Sequence, residues 1–142
     1  MKIVLLNTSA LLIGLITGSF VNMLIINSSA SFIPPPNGID VTTEAGLKEA
    51  MQFFEPKHFL FPFLAHAIGT LLGAFISTLI AKTYQKIFAL IIGLAFLTGG
   101  IMMISMVPSP LWFTITDLLL AYLPMAFLGY LIANKTKKLF QK

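Results

Sequence analysis

The chain has 142 residues, 57% of them hydrophobic and 10% charged, with a net charge of +4 and a mean hydropathy of +0.92. Soluble domains carry about a quarter charged residues, so most of this surface is built for contact with something other than water. Cysteine and arginine are both absent, which excludes disulfides, thiolate metal sites, cysteine nucleophiles and bidentate guanidinium clamps on phosphate.

The first apolar segment, 3–27, exceeds the ~7–15-residue apolar core of a secretory signal and reads as a retained span. It carries Gly14, Gly18 and Asn22 at four-residue intervals. An outer segment, 28–55, follows with Ser28, Ser29 and Ser31, then Pro34-Pro35-Pro36-Asn37-Gly38, an extended stretch closing in a turn. The run "TEAGLKEAMQFF" predicts a short amphipathic helix: Leu47, Ala50, Met51 and Phe54 share one face, and Glu44 and Lys48 form an i,i+4 pair on another. Such a helix is expected to lie on the membrane surface over the outer end of the bundle.

Glu55-Pro56, a capping residue followed by proline, opens the second span, 56–81, which holds His58, Pro62, His66, Gly69 and Gly73. Lys82 and Lys86 bracket a tight turn into the third span, 87–107, which carries Gly93 and Gly99-Gly100. A turn that short sets spans two and three antiparallel and adjacent. Ser109-Pro110 opens the fourth span, 110–133, with Asp117, Tyr122, Pro124 and Gly129, ending before Asn134 and a lysine cluster. Each segment reaches the ~18 residues that mark a membrane helix, the fourth with one acid inside it.

Lysine placement sets the orientation. With the N-terminus inside, seven lysines (Lys2, Lys82, Lys86, Lys135, Lys137, Lys138, Lys142) lie inside and two (Lys48, Lys57) outside. The positive-inside rule then puts both termini in the cytoplasm. The net charge is accounted for by lipid and topology, so no nucleic-acid partner is expected. The expected fold is all-α: a polytopic membrane four-helix bundle with a short amphipathic outer helix, one membrane domain over 1–142. Gly14, Gly18, Gly69, Gly73, Gly93 and Gly129 provide small-residue faces for close helix packing, within the chain or in a homo-oligomer.

The polar side chains within the spans gather toward the outer half: Asn22, His58, His66, Asp117 and Tyr122. A carboxylate inside a span costs ~2.5 kcal/mol or more, so Asp117 points to function. The plainer readings are that His58 sits hydrated at the headgroups, that His66 only bonds across helices, and that Asp117 caps a later helix start. Pro62 and Pro124 each remove a backbone donor, which at depth is tolerated where protein or trapped water satisfies the freed carbonyl. These groups together predict a wet outward pocket bounded by spans one, two and four.

A His–Asp pair suits a proton relay or a general base, but no particular serine or threonine stands out as a nucleophile. The H-x7-H spacing is not a recognised metal grip, and no phosphate loop or dinucleotide fingerprint is present, so neither metal nor cofactor is expected.

The stretches Ile33-Pro34-Pro35-Pro36 through Asp40-Val41-Thr42, "FEPKHF", "PFLAHAIGT" and "PSPLWFTITDLL" resemble a group of small, uncharacterised four-span bacterial membrane proteins. The resemblance covers most of the chain. It implies a membrane topology and no activity, and so assigns no functional residue. The expected location is the bacterial cytoplasmic membrane. Three functions follow as expectations: proton-linked binding or transport of a small solute through the outward pocket, an enzyme acting on a lipid or lipid-linked group at the outer leaflet, or an accessory subunit.

Overall fold

In the computed structural model, which describes residues 1–140, 84% of the chain is helical and the described residues contain no strand. The helices are α1 (Lys2–Phe32), α2 (Glu44–Met51), α3 (Leu60–Ile80), α4 (Gln85–Met106), α5 (Leu111–Leu120) and α6 (Leu123–Phe140). Short 3-10 turns cover Pro36–Gly38 and Pro56–Phe59. Four stretches are long and apolar enough to cross a membrane: α1, Pro56–Ile80, α4, and α5 with α6.

Helix α3 is the axis of the bundle and packs on α1, α4 and α6. Small residues make these approaches. A Cβ added at Gly14 would lie 2.7 Å from the Gly73 carbonyl oxygen, and one at Gly18 equally close to that of Gly69. The two pairs run in opposite order, as antiparallel helices require. On the other side, a Cβ at Gly129 of α6 would strike the Leu71 carbonyl of α3, and one at Gly93 of α4 would sit 2.7 Å from the Ala126 Cβ. Lipid is as apolar as leucine, so helices associate through close packing of this kind rather than apolar burial alone. Ala74, Ala89, Ile92 and Ala126 fill the centre.

Three contacts bring both termini and the α3–α4 turn to one end. The Asn7 amide donates to Thr83 Oγ1 at 2.7 Å and accepts the Lys82 N–H at 3.0 Å, while Lys137 Nζ donates to the Thr78 carbonyl at 2.6 Å. Tyr84 turns the chain there with φ +51. This lysine end lies opposite the loop end, which carries α2. Lys142 lies outside the described residues.

Several boundaries differ from those read off the sequence. Helix α1 passes residue 27 and runs to Phe32, because Ser28 Oγ bonds back to the Leu24 carbonyl at 2.7 Å and the hydroxyls do not interrupt it. It stops where Pro34 follows Ile33. Asn134 does not end the last helix: its amide bonds the Tyr130 carbonyl at 3.0 Å, and α6 continues through the lysines to Phe140. Pro62 makes no mid-helix kink. It is the third residue of α3, where a backbone donor would have no helical partner anyway. The fourth segment is interrupted at Ala121–Tyr122, three to two residues before Pro124.

Candidate functional site

Two helices enter the bundle from the loop end and each carries one half of the central pair. His66 is the seventh residue of α3 and Asp117 the seventh of α5, so both lie about 9 Å in from their helix starts. The His66 Nδ1–H donates to the Asp117 carboxylate, 2.9 Å from Oδ1 and 3.0 Å from Oδ2. The Tyr122 hydroxyl donates to Oδ2 at 2.7 Å and lies 2.9 Å from His66 Nδ1, with its ring stacked on the imidazole at 5.5 Å. Two donors converge on one carboxylate, and the three groups close a triangle.

The Asp117 side chain is 3% exposed and that of His66 21%. Burying a carboxylate is costly unless hydrogen bonds replace its water, and here the imidazole and the phenol do so. With Asp117 as a carboxylate, which can only accept, the ring proton is assigned to Nδ1. Among the described residues Nε2 has no hydrogen-bond partner, and in this tautomer it keeps its lone pair. Asp117 lies within α5, far from its start, so it is not a helix cap.

A cavity of about 320 Å³ opens beside this triangle. Its polar lining comes from Asn22, Ser29, His58, His66, Ser109 and Asp117, and the rest of the wall is apolar. Its walls are thus mostly apolar, with these polar groups set among them. Helix α4, absent from the pocket expected from sequence, supplies a wall through Gly100, Met103 and Ile104. The loop end roofs it: Leu47 and Met51 of α2, with Ile33, Pro35, Val41 and Phe54, face inward. Thr43 Oγ1 caps α2 by accepting the Gly46 N–H at 3.1 Å, and Lys48 pairs with Glu44 at 2.6 Å on the opposite face.

The other residues singled out in the sequence are placed differently. His58 lies in the 3-10 turn, so the α-helical register linking it to Pro62 and His66 does not hold. Its Nδ1 accepts the Glu55 N–H at 2.9 Å and its ring stacks on Phe54 at 4.9 Å. It caps a turn and lines the cavity mouth. The neighbouring Lys57 ammonium, bonded to Glu55 at 2.9 Å, holds that carboxyl below the ordinary carboxylate range. Asn22 lines the cavity, its Cβ against Gly69, and takes no part in the triangle.

Below the triangle the described residues place no further acid or imidazole within the bundle. Thr70 Oγ1, Ser77 Oγ and Thr78 Oγ1 are buried without hydrogen-bond partners. Thr70, one turn from His66, is a polar position that the sequence reading passed over; its i+4 spacing from the imidazole was the available signal. Among the described residues no group of three or more histidine, aspartate or glutamate side chains converges as a metal site would need.

No family model, curated protein or solved structure matches this chain significantly. A carboxylate that orients one ring nitrogen and leaves the other free toward a cavity can take up, hold or release a proton at Nε2, or accept a hydrogen bond from a bound molecule.

Proposed function

We propose that this is an integral membrane protein of the bacterial cytoplasmic membrane that binds a small molecule in an outward-facing pocket and couples that binding to a proton at His66. Four long apolar helices support membrane insertion, and the lysine bias supports the orientation with the loop end outside. The observation that carries the reading is the Asp117–His66–Tyr122 triangle, buried within a helical bundle, with Nε2 unpartnered beside a 320 Å³ cavity. The titratable groups facing that imidazole are Asp117 of α5 and Tyr122 at the α5–α6 break, with His58 lining the same cavity.

The test is the pH dependence of melting of the purified protein between about pH 5 and about pH 8, where an imidazole changes charge. A pH-dependent change in melting that persists in His58→Gln and vanishes in both His66→Gln and Asp117→Asn is expected. A step unchanged in the latter two variants refutes the reading.

One observation favours a second reading, an enzyme acting on a lipid-linked group at the outer leaflet. Oriented by a carboxylate, Nε2 is set as a general base, and the cavity walls beside it are largely apolar. Turnover of an added lipid substrate, abolished by His66→Gln, would separate catalysis from simple binding.

A further inference from the structure

We infer that the site takes an amphiphile that enters sideways from the bilayer, between α1 and α4, with an uncharged hydrogen-bond-donating head set against His66 Nε2. The inference rests on the pocket reading above and adds the route and the ligand class.

The route is a second concavity, of about 490 Å³, on the flank of the bundle between α1 and α4. The glycine pairs hold α1 against α3, and α1 touches α4 far less. The gap that results is lined by Ser19 and Met23 on one wall and by Ala95 and Gly99 on the other. All four are exposed, so the groove opens away from the bundle, where hydrocarbon would surround it. Asn22, Ile26, His66, Gly100 and Met103 line both this groove and the roofed cavity. The two spaces are therefore neighbours that share a wall, and the imidazole belongs to it. Gly99 keeps the groove wide: a Cβ placed there meets nothing within 4 Å.

Size and charge define the occupant. A cavity of 320 Å³ is at the small end of the ~300–1,000 Å³ typical for ligand sites. It holds a head and a short length of chain, and the remaining chain is left to the groove, among flexible methionines that adapt to an alkyl tail. Among the described residues no lysine lines either space, and the chain has no arginine; the charged side chain present is Asp117. While His66 is neutral, a phosphate or carboxylate head would meet the Asp117 charge and no cation. With its Nδ1–H committed to Asp117, His66 offers a lone pair, which selects a donor such as an alcohol. From the water side, α2 and the proline stretch roof the cavity, so the flank is the more direct way in for a molecule dissolved in lipid.

The test uses the full chain in phosphatidylcholine nanodiscs, with monoolein as probe and with oleate and glycerol as its anionic and tail-less counterparts. Thermal shift and native mass spectrometry of the bound species are the readouts. One monoolein per chain is expected, with oleate at least about tenfold weaker and glycerol giving no shift. His66→Ala should weaken monoolein by about tenfold or more. Gly99→Phe should abolish binding by filling the groove, while the His66-dependent melting step reports separately on the triangle. If Gly99→Phe folds poorly, Ser19→Phe fills the facing wall. Undiminished monoolein binding in both plugged variants overturns lateral entry and leaves the pocket reading standing. A shift with glycerol equal to that with monoolein makes the ligand an aqueous solute and also overturns it. Loss of a chain–chain cross-link in Gly99→Phe, with no lipid bound to the wild type, makes the groove an interface between copies. Loss of the pH step's dependence on His66 sinks the pocket reading itself.

Discussion

Alanine at Gly100 should damage the triangle, whereas alanine at Gly99 should not. A Cβ at Gly100 would fall on the Tyr122 hydroxyl and lie 2.7 Å from its Cζ. Tyr122 is 1% exposed, so the ring has little room to swing away. The 2.7 Å bond from its hydroxyl to Asp117 Oδ2 is then the first interaction to break. A hydrogen bond to a charged group contributes ~1.5–3 kcal/mol in water-soluble proteins, and measured interhelical bonds in membranes reach ~1.7 kcal/mol. Taking ~1.5–1.7 kcal/mol for the bond and ~1–3 kcal/mol for overpacking, less ~1 kcal/mol for alanine's better helix propensity, gives a loss of about 1.5–4 kcal/mol. At Gly99 only the propensity remains, so its alanine variant should be neutral or more stable by up to ~1 kcal/mol. Reversible unfolding in bicelles measures both. In a Tyr122→Phe background the hydroxyl and its bond are already gone, and the cost of Gly100→Ala should fall by about 1.5 kcal/mol. Equal costs at the two glycines, or additivity of Gly100→Ala and Tyr122→Phe within ~0.5 kcal/mol, would refute the reasoning.

Gly18→Leu should detach α1, since a Cβ there lies 2.7 Å from the Gly69 carbonyl and 2.8 Å from the Phe96 ring. With Asn7→Cys and Thr83→Cys introduced into this cysteine-free chain, a short bis-maleimide should link them in the parent and fail to do so after Gly18→Leu. The Thr42 hydroxyl, and next its N–H, hold the Asp40 carboxyl below its ordinary 3.8. A lowered folded-state value means the turn's stabilisation is complete above pH 3.8 and is lost as pH falls through that lower value. Protection of the Thr42 amide from exchange should disappear in that window, and Asp40→Asn should lack the transition. Asn37→Cys should be labelled by an impermeant thiol reagent in intact cells, and Lys86→Cys only after permeabilisation; the reverse pattern would invert the orientation.

The sequence foretold the helices well because each apolar run is long and its glycines recur at four-residue intervals. Gly14 and Gly18 meet Gly73 and Gly69 in the order that a small-residue face on each of two antiparallel helices requires. Local polar chemistry was harder to read. Ser28 and Asn134 looked like terminators, yet both bond a carbonyl four residues back and extend their helices. The wall formed by Gly100 and Met103 carries no polar side chain, so nothing in the residue types marked it as part of the cavity. His66 and Asp117 lie at unequal distances from their opening prolines, Pro56 and Pro110. The 3-10 turn absorbs the difference, so that both become the seventh residue of an α-helix at the same depth.

Tyr122 sits in a break in the helix. Five residues on a regular α-helix rotate the side chain by roughly 500°, which would leave Tyr122 about 140° around from Asp117 and turned away from it. Pro124 cannot donate to the Leu120 carbonyl, and the regular helix lapses at Ala121–Tyr122, although Ala121 still bonds Asp117 and Ala126 still bonds Tyr122 through the backbone. Tyr122 sits in that lapse, and from there its phenol reaches the carboxylate at 2.7 Å. The helix loses backbone regularity at the depth where a buried carboxylate needs a second donor. Restoring a regular helix with Pro124→Ala should therefore strengthen the backbone and weaken the triangle. A variant that melts higher but loses the pH-dependent step would show that the proline is retained for the site at the expense of the fold; one that keeps both would show that tertiary packing alone holds Tyr122 in place.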